Sequence, residues 1–511
     1  MRTPRMWGQC ATIVGLSIAL QFAIAAPPEP PIPRAAGGGA GEHLNAALAA
    51  YHRNDFEGAY AEAAAAASDA GFLAQDEGTR HTTLSLAAEV ALKTNRPEQA
   101  QHFAAQATQL PEQSLADWRN RLFAAMRTHD AGDEAESLTK IANRWGRDPA
   151  NLQADTVERV LRDTREAQFR AARLELLQTL YELRWQPGRG RSASREWRDL
   201  SLLLLENGDL QRAQQVASLI NDPYEIIAMR ADLRYRPLVK GKFFDSDAKR
   251  AATRQIDALQ AAIGQQPRSL VLVARLAEAL VRTRRETEAI AAVDRAESRI
   301  AQSAGGTTAY DDSDANYSWI LNAKAYALRN LGRFDEAVKV LQQAVELPHR
   351  VDLVSQSVNL GELLVGLDRP GEAEKCVPPL EKASEFGKAQ IYLVLFTIAL
   401  QRDDRPEADR ALTYLREHRA DAPDAPDALQ AALLRAGAMA EAQQVLLDRL
   451  ADPVLRSAAL VDMQIYFERT RAPKEAEWRA RALKLGENPA VREAIAKVGV
   501  VERYMWRYPG D

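Results

Sequence analysis

Five alanines recur at almost one interval along the C-terminal half of this chain. Ala337, Ala373, Ala408, Ala442 and Ala476 are separated by 36, 35, 34 and 34 residues. The stretch around the first of them, 318–348, reads SWILNAKAYALRNLGRFDEAVKVLQQAVELP. Leu321, Ala325 and Leu328 precede Gly332, and Phe334, Ala337, Val338, Leu341 and Ala344 follow it. Steps of three and four residues put each set on one face of a helix. Gly332 supplies a tight turn without a Cβ in the way. The spacing predicts an antiparallel helix pair with Ala325 and Ala337 where the two backbones come closest, a contact that admits nothing larger than a methyl.

This unit resembles the tetratricopeptide repeat (TPR), a helix–turn–helix module of ~34 residues that stacks in series. Ala325, Gly332, Phe334, Ala337, Leu341, Ala344 and, one residue early, Pro348 stand where the family pattern has its small, turn, aromatic and proline residues. The resemblance implies an all-α fold, a right-handed α-α superhelix of about twelve helix hairpins, each burying its face against its neighbours. Alanine, leucine, arginine and glutamate dominate the chain and favour helix over strand. Essentially no sheet is expected.

The same pattern continues in both directions. Ala47, Phe56, Ala59, Ala63 and Ala66 mark a first unit, and Leu84, Ala88, Ala91, Ala100, Ala104 and Ala107 a second. Trp118, Leu122, Phe123, Met126 and Ala135 mark a third. Residues 151–184 are irregular, with Ala167, Ala171 and Leu174 expected on the buried face of a second helix. A basic loop at 185–195, WQPGRGRSASR, reads as a joint, and a convincing unit restarts at Trp197. Three repeat segments are therefore expected, 42–184, 196–302 and 316–486. A capping helix with an aromatic tail, 487–511, is expected to cover the open end of the stack. The proline- and glycine-rich stretch 26–41 cannot bury a core and reads as a linker.

Residues 1–25 carry Arg2 and Arg5, then an apolar run ending Ala23-Ile24-Ala25. This is the pattern of a cleaved export signal, with the cut after Ala25, and the run is too short to span a bilayer. The expected location is the periplasm or the exterior, with no stable membrane span after cleavage. Losing two arginines and no acid takes the formal charge from −4 to −6, which argues against nucleic acid as a partner. Cys376 alone would remain, so no internal disulfide is expected; it reads as a small buried hydrophobe on a second helix.

The seven histidines are scattered, without a serine elbow or an HExxH pair, and no phosphate loop is visible. Asp312, Asp314 and Asn316 alternate like the start of a calcium loop, but the glycine and glutamate that complete one are absent, leaving a helix-capping role. The chain is expected to be no enzyme and to hold no cofactor or metal.

In the resembling family the first helix of each pair lines a concave groove. Residue by residue, the resemblance assigns Trp319, Asn322, Tyr326, Arg329 and Asn330 of the best unit to it, with Ser355, Asn359 and Glu362 of the next. Aromatics beside amides and an arginine can stack on a side chain or a sugar ring and hydrogen-bond a backbone or carboxylate, which suits a protein or peptide partner and leaves a polysaccharide open. Asn322, Arg329 and Asn359 resemble part of the set with which some family members grip a terminal carboxylate, but the lysines are missing. The expected function is an exported scaffold holding a protein partner. The alternative is an accessory subunit of a cell-envelope polysaccharide synthesis or export machine.

Overall fold

The computed structural model of this chain describes residues 39–188, 190–240, 247–303, 309–347, 353–421 and 425–507. The expected export signal, residues 26–38 of the linker, His349 and the end of the tail from Tyr508 lie outside them. Among the described residues there are 26 α-helices and no strand, only two isolated bridges. The fold is all-α, a TPR-like solenoid of helix hairpins, and it divides into two compact units, 39–187 and 188–507. The residues expected as two segments, 196–302 and 316–486, lie together in the second.

The N-terminal unit stacks three hairpins, α1 (Gly39–His52) with α2 (Phe56–Ser68), α3 (Glu77–Lys93) with α4 (Pro97–Ala107), and α5 (Leu115–Thr128) with α6 (Ala131–Trp145), followed by α7 (Ala154–Asp163) and α8 (Arg170–Glu182), an irregular pair whose members both pack on α6. Residues 39–41, expected in the linker, begin α1. Ala47, Ala59, Ala63, Ala66, Ala88, Ala91, Ala100, Ala104 and Ala107 are all buried, so close nesting of backbones holds this stack together. The irregular pair corrects the expected register. Ala171 is exposed and Leu174 half-buried, because the larger Leu176, Leu177 and Leu180 take the inner face.

The C-terminal unit begins with α9 (Ser194–Glu206) and α10 (Leu210–Ala217), then α11 (Pro223–Ala231), α12 (Arg236–Val239) and α13 (Ala248–Gln265). Four hairpins in close succession follow: α14 (Leu270–Arg282) with α15 (Glu286–Ala301), α16 (Ser313–Asn330) with α17 (Phe334–Val345), α18 (Val354–Gly366) with the short α19 (Pro370–Ala373), and α20 (Glu385–Gln401) with α21 (Arg405–Glu417). The unit ends with α22 (Ala425–Ala436), α23 (Met439–Ala451), α24 (Arg456–Met463), α25 (Pro473–Glu487) and α26 (Pro489–Val498).

Successive hairpins turn on a left-handed residue. Asn54, Asn95, His129, Gly208, Arg284, Gly332, Asp368, Asp403 and Gly437 all have positive φ. In several an aspartate follows and caps the second helix: Asp55, Asp130, Asp209 and Asp404 accept from the N–H of Gly58, Asp133, Arg212 and Glu407. Ala325 and Ala337 are both buried in one cluster with Leu328 and Leu341, as the spacing predicts. Ala373, Ala408 and Ala442 are buried in the same way.

Three expectations need correction. Ala476, the fifth alanine of the series, is exposed; α25 buries Glu475 and Trp478 instead. Cys376 sits half-buried in a 3-10 turn, its thiol donating to the Glu372 carbonyl, because Pro378 and Pro379 cut the second helix short. The tail does not cover the end of the stack. α26 packs on α23, whereas residues 499–507 return to the elements that begin the unit. Val500 N–H donates to Ala231 O at 2.9 Å, and Gly499 has no room for a Cβ against that carbonyl and Leu460. Trp506 meets Tyr224 edge to face. Glu502 takes two hydrogen bonds from Arg230, and Arg507 pairs with Glu286 at 2.7 Å.

The alternating acids of the expected capping loop do cap, across a distance. Asp312 accepts from the N–H groups of Leu270 (2.6 Å) and Val271 (3.0 Å), closing the start of α14 from the start of α16.

Candidate interaction surface

The first helices α16, α18, α20 and α22 lie side by side in the C-terminal unit and share an unusual property. They carry polar side chains, yet they are buried almost all round; in α18 every residue from Val354 to Gly366 is buried. Burying amides and charges costs free energy unless each finds a partner. Partners come from the neighbouring helices. Asn359 Nδ2 donates to Asn322 Oδ1 at 2.7 Å, and Gln356 Nε2 to Ser318 Oγ at 3.3 Å. Arg435 donates to both oxygens of Glu362, at 3.1 and 2.6 Å, and to Thr397 Oγ1 at 2.6 Å.

The eight residues assigned from the sequence fall on this wall. Trp319 is half-buried and packs against the clusters of both neighbouring hairpins. The Arg329 guanidinium stands 4.3 Å from the centre of the Tyr326 ring. Asn330 is buried, with no hydrogen-bond partner for either amide atom among the described residues. Asn322, Tyr326, Arg329, Ser355, Asn359 and Glu362 are buried as well. What was expected as an open groove wall is therefore a covered one.

Part of the cover is the chain itself, and sequence reasoning missed it. Residues 467–481 run across the hairpin turns. Glu475 bonds Arg469 Nη1 at 2.7 Å and its own backbone at Ala472 N, and it lies against Gly366. Burial pushes the Glu475 carboxyl up, but the fields of Arg469 and Arg329 outweigh it and hold the group at about 2. Trp478, one turn on, sits in the cluster of Leu363, Val365 and Ile398, with Arg435 4.4 Å from its ring centre. The sequence held no signal for it: Pro473 begins its helix three residues before Ala476, just as Phe334, Pro370, Arg405 and Met439 begin theirs before Ala337, Ala373, Ala408 and Ala442.

One constellation elsewhere has the residue types of a hydrolytic site. His81 Nε2 lies 2.8 Å from Asp117 Oδ2, and Ser85 donates to Asp117 Oδ1. Ser85 Oγ also lies 3.4 Å from His81, but at the same Nε2 that meets Asp117, whereas a relay would use the two ring nitrogens for the two partners. Asp117 also closes the capping box of α5 with Ser114, so this cluster ties α3 to α5. Among the described residues no group of three or more His, Cys, Asp or Glu side chains could hold a metal ion, and no helix is long and apolar enough to cross a membrane.

Serial hairpins and a wall built from their first helices define the chain as a helical-repeat protein. Residues 320–348 match the model of the tetratricopeptide repeat, so at least one repeat of that family lies in the chain. No curated protein sequence matches the chain. Among solved structures it is similar to a tetratricopeptide repeat protein from Parabacteroides merdae ATCC 43184, at 10% identity and a TM-score of 0.30, covering 64% of this chain and 98% of that one. It is also similar to Naa15/Naa10 bound to HypK-THB, at 13% identity and a TM-score of 0.35, covering 82% and 72%. The APC/C hetero-tetramer Cut9-Hcn1 matches at 11% identity and a TM-score of 0.28, covering 90% and 96%.

Proposed function

We propose that this protein is an exported, non-catalytic scaffold that holds a protein or peptide partner on the inner wall of its C-terminal TPR unit. The observation that carries the reading is the wall itself. Aromatic, amide and charged side chains from Trp319 to Glu362 are arrayed on adjacent first helices, where a purely structural stack would place apolar ones. Export rests on the sequence of residues 1–25 alone.

The test uses the mature chain from Ala26 with a photo-crosslinking residue at Trp319, and in a second protein at the exposed Ala476. Adducts with one protein, formed from position 319 and not from 476, are expected. The same adducts from both positions, or none from 319, would remove the wall as the binding surface. Cell fractionation with sequencing of the mature N-terminus tests export; a chain found intact in the cytoplasm ends that part of the reading.

A further inference from the structure

The segment 467–481 is laid out against the repeats in order. Phe467 lies under Arg284, whose guanidinium is 3.3 Å from the ring centre. Thr470 packs on Gly332. Lys474 faces Asp368 at 3.9 Å, and Arg481 donates to the carbonyls of Leu434 and Arg435 at 2.9 and 2.6 Å. Arg284, Gly332 and Asp368 are the left-handed turn residues of consecutive hairpins, and Gly437, beside the Arg481 contact, is that of α22–α23. One strand of chain therefore crosses the repeats in sequence order, as a bound peptide would.

Its central contacts are those of a ligand as well. Trp478 presents its indole to Arg435, 4.4 Å from the ring centre, whereas Glu475, one helical turn before it, is bonded within the segment by Arg469 Nη1 at 2.7 Å. Arg435 belongs to the wall, and it keeps its bonds to Glu362 and Thr397 while it covers the indole. The site is thus complete without the strap, apart from the ring that the strap brings.

We propose that 467–481 is an exchangeable occupant of the wall, and that the partner which displaces it presents an aromatic ring on a helical turn to Arg435. This deepens the reading given under Proposed function, because it names the partner's chemistry and the step that must precede binding. The strap competes in cis at high effective concentration, so the intact chain binds such a partner weakly until the strap is loosened.

A labelled synthetic peptide of residues 466–482 serves as the probe, added in trans to the full chain, with binding read by fluorescence anisotropy. In the variant Glu475→Gln/Trp478→Ala the strap is loosened, and peptide affinity is expected to rise at least tenfold over the unsubstituted chain. A Cβ on Gly332 would lie 3.4 Å from Thr470 Cβ, at the short end of the disulfide range, so Gly332→Cys/Thr470→Cys can be bridged at the cost of strain in a turn whose φ is 79°. The oxidised form is expected to bind no peptide, and reduction to restore binding. Circular dichroism confirms that each variant is folded. Equal binding by the loosened and locked chains, or binding by none of the folded variants, overturns the proposal. Because the probe is the chain's own segment, a failure here is distinct from a failure to find a cellular protein partner.

Discussion

Arg435 and Glu362, 73 residues apart, form a two-pronged ion pair at 3.1 and 2.6 Å with almost no access to solvent. The pair joins α18 to α22, and through Thr397 it includes α20 between them. Three first helices are held in register by one guanidinium. Replacing Arg435 with methionine leaves the Glu362 carboxylate buried without its cation, which should destabilise the C-terminal unit by ~3–5 kcal/mol in urea unfolding. Adding Glu362→Leu should recover a large part of that loss, because the unpaired charge then disappears. A double variant as unstable as the sum of the singles would mean that the two groups do not interact.

Ala337 and Ala476 occupy the same place in the repeat series, but the first is buried against α16 and the second faces water. Ala337→Leu should overpack the hairpin and cost roughly 1–3 kcal/mol. Ala476→Leu should change stability by less than about 0.5 kcal/mol. Equal costs in urea unfolding would contradict either the nesting at Ala337 or the outward face of α25.

That contrast also marks how far the fold is legible in the sequence. A periodicity of small residues reports contacts between neighbouring hairpins, and at Ala325, Ala337, Ala373, Ala408 and Ala442 the residues are buried as the period requires. It is silent on contacts that skip the repeats. Arg507 reaches Glu286 across 221 residues and accepts from Tyr224 across 283, and neither lies in a repeat register. That Asn322, Asn359 and Glu362 lie on first helices was readable from the repeat positions they occupy. Their cover was not, because a strap that crosses several turns contributes one residue to each and leaves no pattern of its own. In α8 the period failed for a simpler reason, since Leu176, Leu177 and Leu180 bury more area than Ala171 and took the inner face.

The N-terminal unit should gain stability on mild acidification. Glu134 on α6 is fully buried with no hydrogen-bond partner for either oxygen among the described residues, and burial, aided by Asp163, pushes its carboxyl from 4.5 up to about 7. Asp130 adds to that shift, and Arg159 and Arg162 oppose it. The folded chain binds this proton more tightly than the unfolded one, so the charged form costs stability, increasingly as pH rises from 4.5 through about 7. His81 acts in the same direction. Its bond to Asp117 raises its pKa, so its contribution is complete below ~6.5 and is lost as pH rises through the folded value. Asp117 works oppositely. Burial raises it, but the bonds from His81, Ser85 and Ser114 outweigh that and lower it, so its contribution holds above ~3.9 and is lost only in stronger acid. Glu134→Gln should therefore match the parent at pH 5 and exceed it at pH 8, by on the order of 3 kcal/mol if the whole shift is expressed. Thermal unfolding at the two pH values measures this; a variant less stable than the parent at pH 8 would refute the buried charge.

Arg507 tests whether the tail is a structural tie. Its guanidinium bonds Glu286 through Nε at 2.9 Å and Nη2 at 2.7 Å, and Nη1 donates to Glu468 O at 3.0 Å. One side chain thus binds the start of α15 to the strap and to the end of the chain. In Arg507→Ala the Glu286 carboxylate is left buried, although as the first residue of α15 it keeps the favourable field of that helix N-terminus. The cost should accordingly fall at the lower end of the buried-pair range, about 3 kcal/mol. Hydrogen exchange should locate it: amides of Ile465, Phe467 and Tyr504, which bond between the two extended stretches, should lose protection first, while those of α16 and α17 keep theirs. Uniform loss of protection through the C-terminal unit would instead make the tail part of the cooperative core. Unchanged exchange at Phe467 would mean that Phe467, bonded to the Trp506 carbonyl and lying beneath Arg284, holds its place without Arg507.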